Sequence, residues 1–263
     1  MHPSLEVRPL HVRWLGRVPY REALALQHGL AANGRDHHLL LLEHPHVFTH
    51  GRTADLTANL RCDPATVGAE LVAVDRGGDV TYHGPGQLVG YPILALRPKH
   101  AEGGPADVAA YVSFVEELVI ATLGELGVSG AGRKHGFPGV WLDPEGPRAR
   151  KIAAIGVRLT RGSGGQRRSL HGFALNVNPD LAYMREHIVP CGIAEHPVTS
   201  LAEEGLAVSM REVVDAVAHV ATRTIGEGTR ADVAWHERPE DLSAFSRGEG
   251  PGEPVRLERR LRA

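Results

Sequence analysis

An α+β fold is predicted by three features of this chain. Its strand and helix patterns follow one another in irregular order. Two long runs have helical periodicity, and the second half is rich in strands joined by glycine turns. Leu5 to Leu15 alternates loosely and reads as a first strand. Pro19 and the run from Tyr20, with Ala23, Leu24, Leu26 and Leu30 near one face, predict a helix that Asn33-Gly34 stops. His38 to Glu43 is a buried strand ended by Pro45, and Val47 to Thr49 is expected to resume it. Residues 51–70 read as loop, with a turn at Asp63-Pro64. Leu71 to Asp75 is a short strand entering a glycine-rich stretch, and Leu88 to Leu96 is the strand leaving it.

Pro105 suits a first helical position, and Ala106 to Leu126 carries Tyr111, Val115, Leu118, Val119 and Leu123 at three- and four-residue spacing up to Gly127. Strands are predicted at 139–142, 151–160 and 170–176. The last two are joined by a basic, glycine-rich connector after Thr160, read as an exposed hairpin loop with solvated arginines. Asn178-Pro179-Asp180 is a turn before an irregular segment. Ser209 and Glu212 have capping-box spacing and open a helix through Val213, Val214, Val217, Val220 and Ile225. Trp235 to Phe245 suggests a last short helix, and the end from Arg247 reads as disordered.

The chain is 263 residues long, enough to bury a full core. A net charge of −2, from 29 basic and 31 acidic residues, gives no field that would favour nucleic acid. Only Cys62 and Cys191 occur, so a disulfide framework is not expected and a reducing, cytoplasmic compartment is. There is no signal pattern and no apolar run near eighteen residues, so no membrane partner is expected.

Arg76 to Pro92 reads RGGDVTYHGPGQLVGYP, with five glycines among seventeen residues. Glycine lets a ligand lie on bare backbone but loses the most entropy on ordering. Two readings are open: a tight hairpin around His83-Gly84-Pro85-Gly86, or a binding loop whose glycines alternate with Arg76, Tyr82, His83 and Gln87. The spacing of Gly84, Gly86 and Gly90 does not match the dinucleotide fingerprint. Cys191, between Pro190 and Gly192, is either a packing cysteine or an open thiol. A thiol needs help to ionise at neutral pH. Lys151, at the mouth of the strand Ile-Ala-Ala-Ile-Gly-Val, is a candidate cation for that task. The sixteen histidines have no cysteine cluster and no helical pair among them, so no metal is expected. Cys62 is taken as incidental.

In order, Arg76-Gly-Gly-x-x-Thr81-x-His83-Gly-Pro-Gly-Gln87, Lys151-Ile-Ala-x-x-Gly156, His171-Gly-Phe-Ala-Leu-Asn-Val177 and Pro190-Cys-Gly192 resemble the lipoyl(octanoyl) transferases of lipoate biosynthesis, over roughly residues 10–225. The resemblance implies a mixed, largely antiparallel sheet flanked by helices, as in lipoate and biotin protein ligases. It implies a catalytic domain over 1–226 and a C-terminal extension over 227–263. It also implies that Cys191 is the acyl-carrying nucleophile and Lys151 its activating partner. Arg76, Gly77, Gly78, Asp79, Val80, Thr81, Tyr82 and His83 would line the acyl site, with Ala154, Ile155, Gly156, Gly172, Phe173 and Ala174. The small residues Ala153, Ala154 and Gly156 would leave room for the chain. Implied partners are octanoyl-acyl carrier protein as donor and, as acceptors, lipoyl domains of 2-oxoacid dehydrogenases and the glycine cleavage H protein. No cofactor is implied, and a monomer is expected. The rival readings are an ATP-dependent lipoate ligase, which would need a nucleotide site and not Cys191, and a silent acyl-binding relative.

Overall fold

The computed structural model describes residues 5–99, 106–162, 165–189 and 197–225, and the backbone of 232–235. Its strands are β1 (Leu10–Arg17), β2 (His37–Glu43), β3 (Val47–His50), β4 (Glu70–Ala73), β5 (Thr81–His83), β6 (Gln87–Ile93), β7 (Ala95–Leu96), β8 (Ala131–Lys134), β9 (Phe137–Leu142), β10 (Arg150–Arg161), β11 (Arg167–Asn176) and β12 (Asp232–Trp235). Its helices are α1 (Tyr20–Asn33), α2 (Leu56–Asn59), α3 (Val108–Glu125), α4 (Ala182–Arg185) and α5 (Met210–Ile225).

The main sheet runs β12-β1-β2-β6-β11-β10-β9-β8, with β7 also on β11. It is antiparallel except where β1 lies parallel to β2 and β12. α3 and α5 bury their apolar stripes against one face, through Tyr111, Val115, Leu118, Val213 and Val217 among others. α1 covers the other face with Ala23, Leu26 and Leu30, packed on Leu40, Leu42, Val89, Tyr91 and Ala174. A second, three-stranded sheet, β4-β3-β5, stands beside the first.

This second sheet revises one expectation and decides between two open readings. After Pro45 the chain does not resume β2; β3 crosses into the small sheet and pairs with β4 and β5. The glycine stretch is not a hairpin either, because β5 belongs to the small sheet and β6 to the large one. The turn between them is real: Gln87 N donates to Gly84 O at 3.1 Å.

Other differences are local. The presumed loop 51–70 holds α2 and a 3₁₀ turn at Pro64–Val67, whose first turns are capped by the Asp55 and Asp63 carboxylates. α3 starts at Val108 with Asp107 as its cap, and Pro105 lies outside the described residues. β8 had no clear alternation to reveal it. Arg168 is buried rather than solvated, donating to the carbonyls of Asp36 at 2.8 Å and Arg35 at 3.0 Å. Trp235 ends strand β12 instead of opening a helix, and the expectations beyond it fall outside the described residues. The capping box is present: Glu212 N donates to Ser209 Oγ, and Ser209 N donates to the Glu212 carboxylate.

Candidate active site

A pocket of about 480 Å³, counting its open mouth, lies at the seam between the two sheets. The small sheet and the loop before it contribute Arg76, Gly77, Gly78, Thr81 and His83. The large sheet contributes Val89, Tyr91, Ala154, Ile155, Gly156, His171, Gly172, Phe173 and Ala174, and α1 contributes Tyr20. The floor is nearly bare where Ala154 pairs with Ala174 and Gly156 with Gly172. A side chain at Gly156 would meet the Arg76 stem at 3.1 Å. The result is a slot lined mostly by apolar atoms, with Arg76, Thr81, His83 and His171 as its polar groups.

Asp79, Val80 and Tyr82, expected to line the site, stand behind it. Asp79 accepts from Asn59 Nδ2 at 2.7 Å and from Val80 N at 2.8 Å. Val80 and Tyr82 are buried in the core of the small sheet, where the Tyr82 hydroxyl is hydrogen-bonded to His46 Nδ1 at 2.8 Å. Arg76 ties the loop to β3: its guanidinium donates to Thr49 O, Thr49 Oγ1 and Asp79 O. Ala153, expected to leave room, packs in the opposite core.

Lys151 sits on β10, three residues before Ala154. Strict alternation would put those two side chains on opposite faces. A β-bulge resolves this. Against β9 the register runs Lys151↔Trp141 and then Ala153↔Val140, so Ile152 is an extra residue. Ile152 and Ala153 both enter the core under α3, and Lys151 is returned to the face of Ala154 and Gly156. The lysine is only 6% exposed, with Nζ 5.5 Å from the centroid of the buried Trp141 ring. Gly139 makes this possible: a Cβ there would lie 2.5 Å from Lys151 Cε. Neither Gly139 nor Trp141 carried a signal in the sequence beyond its position in a short strand.

Cys191 lies outside the described residues. The chain on either side of it is well anchored. Before it, Val189 N donates to Asn59 O at 2.9 Å and Arg61 N to His187 O at 2.8 Å. After it, Lys151 N donates to Pro197 O and Thr199 N to Lys151 O, both at 2.9 Å. The return limb of the Cys191 segment is thus laced directly onto the lysine. Cys62, by contrast, packs partly buried against the small sheet, and burial and then Asp63 push its thiol pKa up.

From that limb a chain of side-chain amides leads to the slot. Asn176 Nδ2 donates to Thr199 O at 2.9 Å. Gln87 Nε2 donates to Asn176 Oδ1 at 3.0 Å. Gln87 Oε1 therefore accepts from His83 Nδ1–H at 2.8 Å, which leaves Nε2 of His83 with the lone pair. Burial, then His44, lower the His83 pKa to about 3, so the ring is neutral. His44 is likewise held neutral by burial, its pKa lowered to about 4, with Nδ1–H on Val18 O and Nε2 against the Tyr91 hydroxyl.

His171, which opens one of the motifs but was not among the residues expected to line the site, also lines the slot. Its φ of +59° is left-handed, which is uncommon for a residue with a Cβ. Leu170 and Ala174 belong to the core on the α1 side and Phe173 to the opposite core, so alternation would turn His171 away from the slot. The left-handed backbone swings it back. The β6–β11 register, extended past Phe173↔Gly90, sets His171 opposite Pro92, which has no N–H to donate. Gln27 of α1 fixes the departure by accepting from His171 N at 2.8 Å.

Among the described residues no group of three or more His, Cys, Asp or Glu is placed to hold a metal ion. No helix there is long and apolar enough to cross a membrane.

Residues 19–221 match the lipoyl protein ligase A/B catalytic domain. An octanoyltransferase of Solibacter usitatus is 48% identical over 208 residues, spanning 77% of this chain and 86% of that protein. The chain belongs to the octanoyltransferase family. A second octanoyltransferase, from Acidobacterium capsulatum, is 44% identical over 245 residues, 89% of this chain and 95% of the relative. Among solved structures, the bipartite lipoate protein ligase of Thermoplasma acidophilum, studied with its E2 lipoyl domain, superposes with a TM-score of 0.67 at 19% identity. That match covers 95% of this chain and 100% of the other. A lipoate-protein ligase A bound with ATP gives 0.66 at 16% identity, covering 94% of each. These distant likenesses concern the fold that octanoyltransferases share with the ligases.

Proposed function

We propose that this octanoyltransferase carries an octanoyl group from octanoyl-acyl carrier protein to a lysine of lipoyl domains, through a thioester on Cys191 and without ATP. The acceptors are the lipoyl domains of 2-oxoacid dehydrogenases and the glycine cleavage H protein, reached by a monomeric enzyme in the cytoplasm. One observation supports this reading most: a narrow apolar slot lies on the same face as a buried lysine, and that lysine is hydrogen-bonded to the limb returning from Cys191.

In the first half-reaction the Cys191 thiol gives its proton to Lys151, and the thiolate attacks the donor's thioester carbonyl. The tetrahedral intermediate expels the carrier's thiolate, which takes the proton back from Lys151. One thioester is exchanged for another, so the step is close to isoenergetic. In the second, the amine of the acceptor lysine attacks the Cys191 thioester; the amide forms, the sulfur leaves, and the amine's proton returns to it through Lys151. A free lysine, with a pKa of about 10.4, is mostly protonated at neutral pH, so neutral Lys151 first takes that extra proton and releases it to solvent, and then carries the proton lost on attack to the departing sulfur. Backbone N–H groups of the glycine stretch are candidates to hold the oxyanion.

The test is intact-protein mass after mixing with octanoyl-acyl carrier protein in the absence of ATP. The wild type and Cys62→Ser are expected to gain a hydroxylamine-labile octanoyl group, Cys191→Ser to gain none, and added lipoyl domain to discharge it. Modification of the lipoyl domain only with ATP and free acid would mean ligase chemistry.

A further inference from the structure

One end of the slot is accounted for by this reaction and the other is not. Asn176 holds Thr199 beside Lys151, and from there β11 runs back through Ala174 and Gly172 to His171. On the partner strand the same path leads from Ala154 to Gly156, and His171 is paired with the next residue, Val157. From Ala154 to Gly156 the floor of the slot is two residue steps long, about 7 Å at the rise of a strand, and His171 stands one step further along β11. His171 therefore stands at the far end from the reacting carbonyl, on the wall that the methyl end of an acyl chain would reach.

That wall is built from three elements. Asp75, the residue before the glycine loop, is salt-bridged to Arg158 of β10, which also donates to Asp75 O at 3.3 Å. Asp75 Oδ1 lies 3.5 Å from His171 Nε2 of β11, in a geometry that falls short of a hydrogen bond. Both atoms are buried and neither has a hydrogen-bond partner. His171 is 3% exposed, so an unpaired nitrogen there is costly. Burial, then Arg76, lower its pKa to about 3, so it faces the carboxylate as a neutral ring.

Resting on the function proposed above, we propose that Arg158, Asp75 and His171 form a clasp that closes the far end of the acyl slot and limits the length of the chain it holds. A chain that fits leaves the clasp intact. A longer one must push His171 off Asp75 and end the 3.5 Å contact between the buried ring and the carboxylate that Arg158 holds. The left-handed backbone at His171, set opposite Pro92, makes this residue the gauge of the slot.

Binding of free octanoate, decanoate and dodecanoate by calorimetry tests this without needing the transfer reaction. Wild type is expected to bind octanoate best. His171→Asn keeps a residue tolerant of the left-handed backbone but shortens it, and should raise the decanoate-to-octanoate affinity ratio about tenfold, the worth of two buried methylenes. Arg158→Ala and Asp75→Asn, on the part-exposed rim, should move the ratio the same way and carry the test if the His171 variant does not fold. Octanoate binding with an unchanged ratio in the folded variants would overturn the clasp and leave the transferase standing. Absence of any fatty-acid binding by wild type would overturn both the clasp and the slot.

Discussion

At the scale of single residues, the position of Lys151 depends on what its neighbours lack. Gly139 has φ +132°, donates its N–H to buried Glu116 at 2.9 Å, and leaves the space that the Lys151 stem fills. Gly139→Ala is therefore expected to destabilise the fold by about 1–3 kcal/mol through backbone strain. It should also slow acyl-adduct formation by on the order of a hundredfold, as a displaced catalytic group does. Stopped-flow acylation and denaturant melts measure the two effects. Gly124→Ala on α3, where an added Cβ meets nothing within 4 Å, is the control and should not slow acylation. The motifs named Lys151 but not its orientation, because that depends on the extra residue Ile152 in the β9–β10 register, and a bulge leaves no trace in composition or periodicity. The place of His171 in the slot was hidden for a related reason: alternation along β11 assigns it to the wrong face, and only its left-handed backbone corrects this.

At the scale of elements, helices were the most legible parts because their ends are written in local chemistry. The Ser209–Glu212 box and the Asn33-Gly34 stop lie within a residue of where α5 and α1 begin and end. Ser209→Ala should cost about 1 kcal/mol, read as a lower urea midpoint, with acylation by the octanoyl donor unaffected. Strand positions were legible as well, but strand partners were not. Nothing local to Val47–His50 tells that it leaves the sheet of β2, and Thr81–His83 looks like one arm of a hairpin with Gln87–Ile93 until their partners are known. Pro92 is a further example. A proline in the interior of a sheet argues against a central strand, yet β6 lies between β2 and β11. The sheet accepts it because the β6–β11 pairing stops at Phe173↔Gly90, before Pro92, and the Pro92 carbonyl is used by Tyr111 Oη at 3.0 Å and Ser169 Oγ at 2.7 Å.

For the molecule as a whole, several histidines buried as neutral rings tie stability to pH. Burial lowers the pKa of His44 to about 4 and those of His38, His83 and His171 to about 3. In the unfolded chain each returns to about 6.5. Above that pH both states are neutral and the full stability is present. As pH falls from about 6.5 toward 3–4, the unfolded chain takes protons that the folded one refuses, so stability is lost. Each ring contributes up to about 1.4 kcal/mol per pH unit in that window. Urea midpoints at pH 7.5, 6 and 5 should fall steeply below about 6.5, and a flat series would show that these rings are not held neutral. The slot has a different consequence at this scale. It is a joint between two sheets with separate hydrogen-bond ladders, floored by alanine and glycine. A hydrocarbon chain lying in that joint acts as mortar, supplying the contacts that side chains of this size cannot. The acylated intermediate should then be the stiffer form of the enzyme, and discharge of the cargo should loosen the joint for the next load.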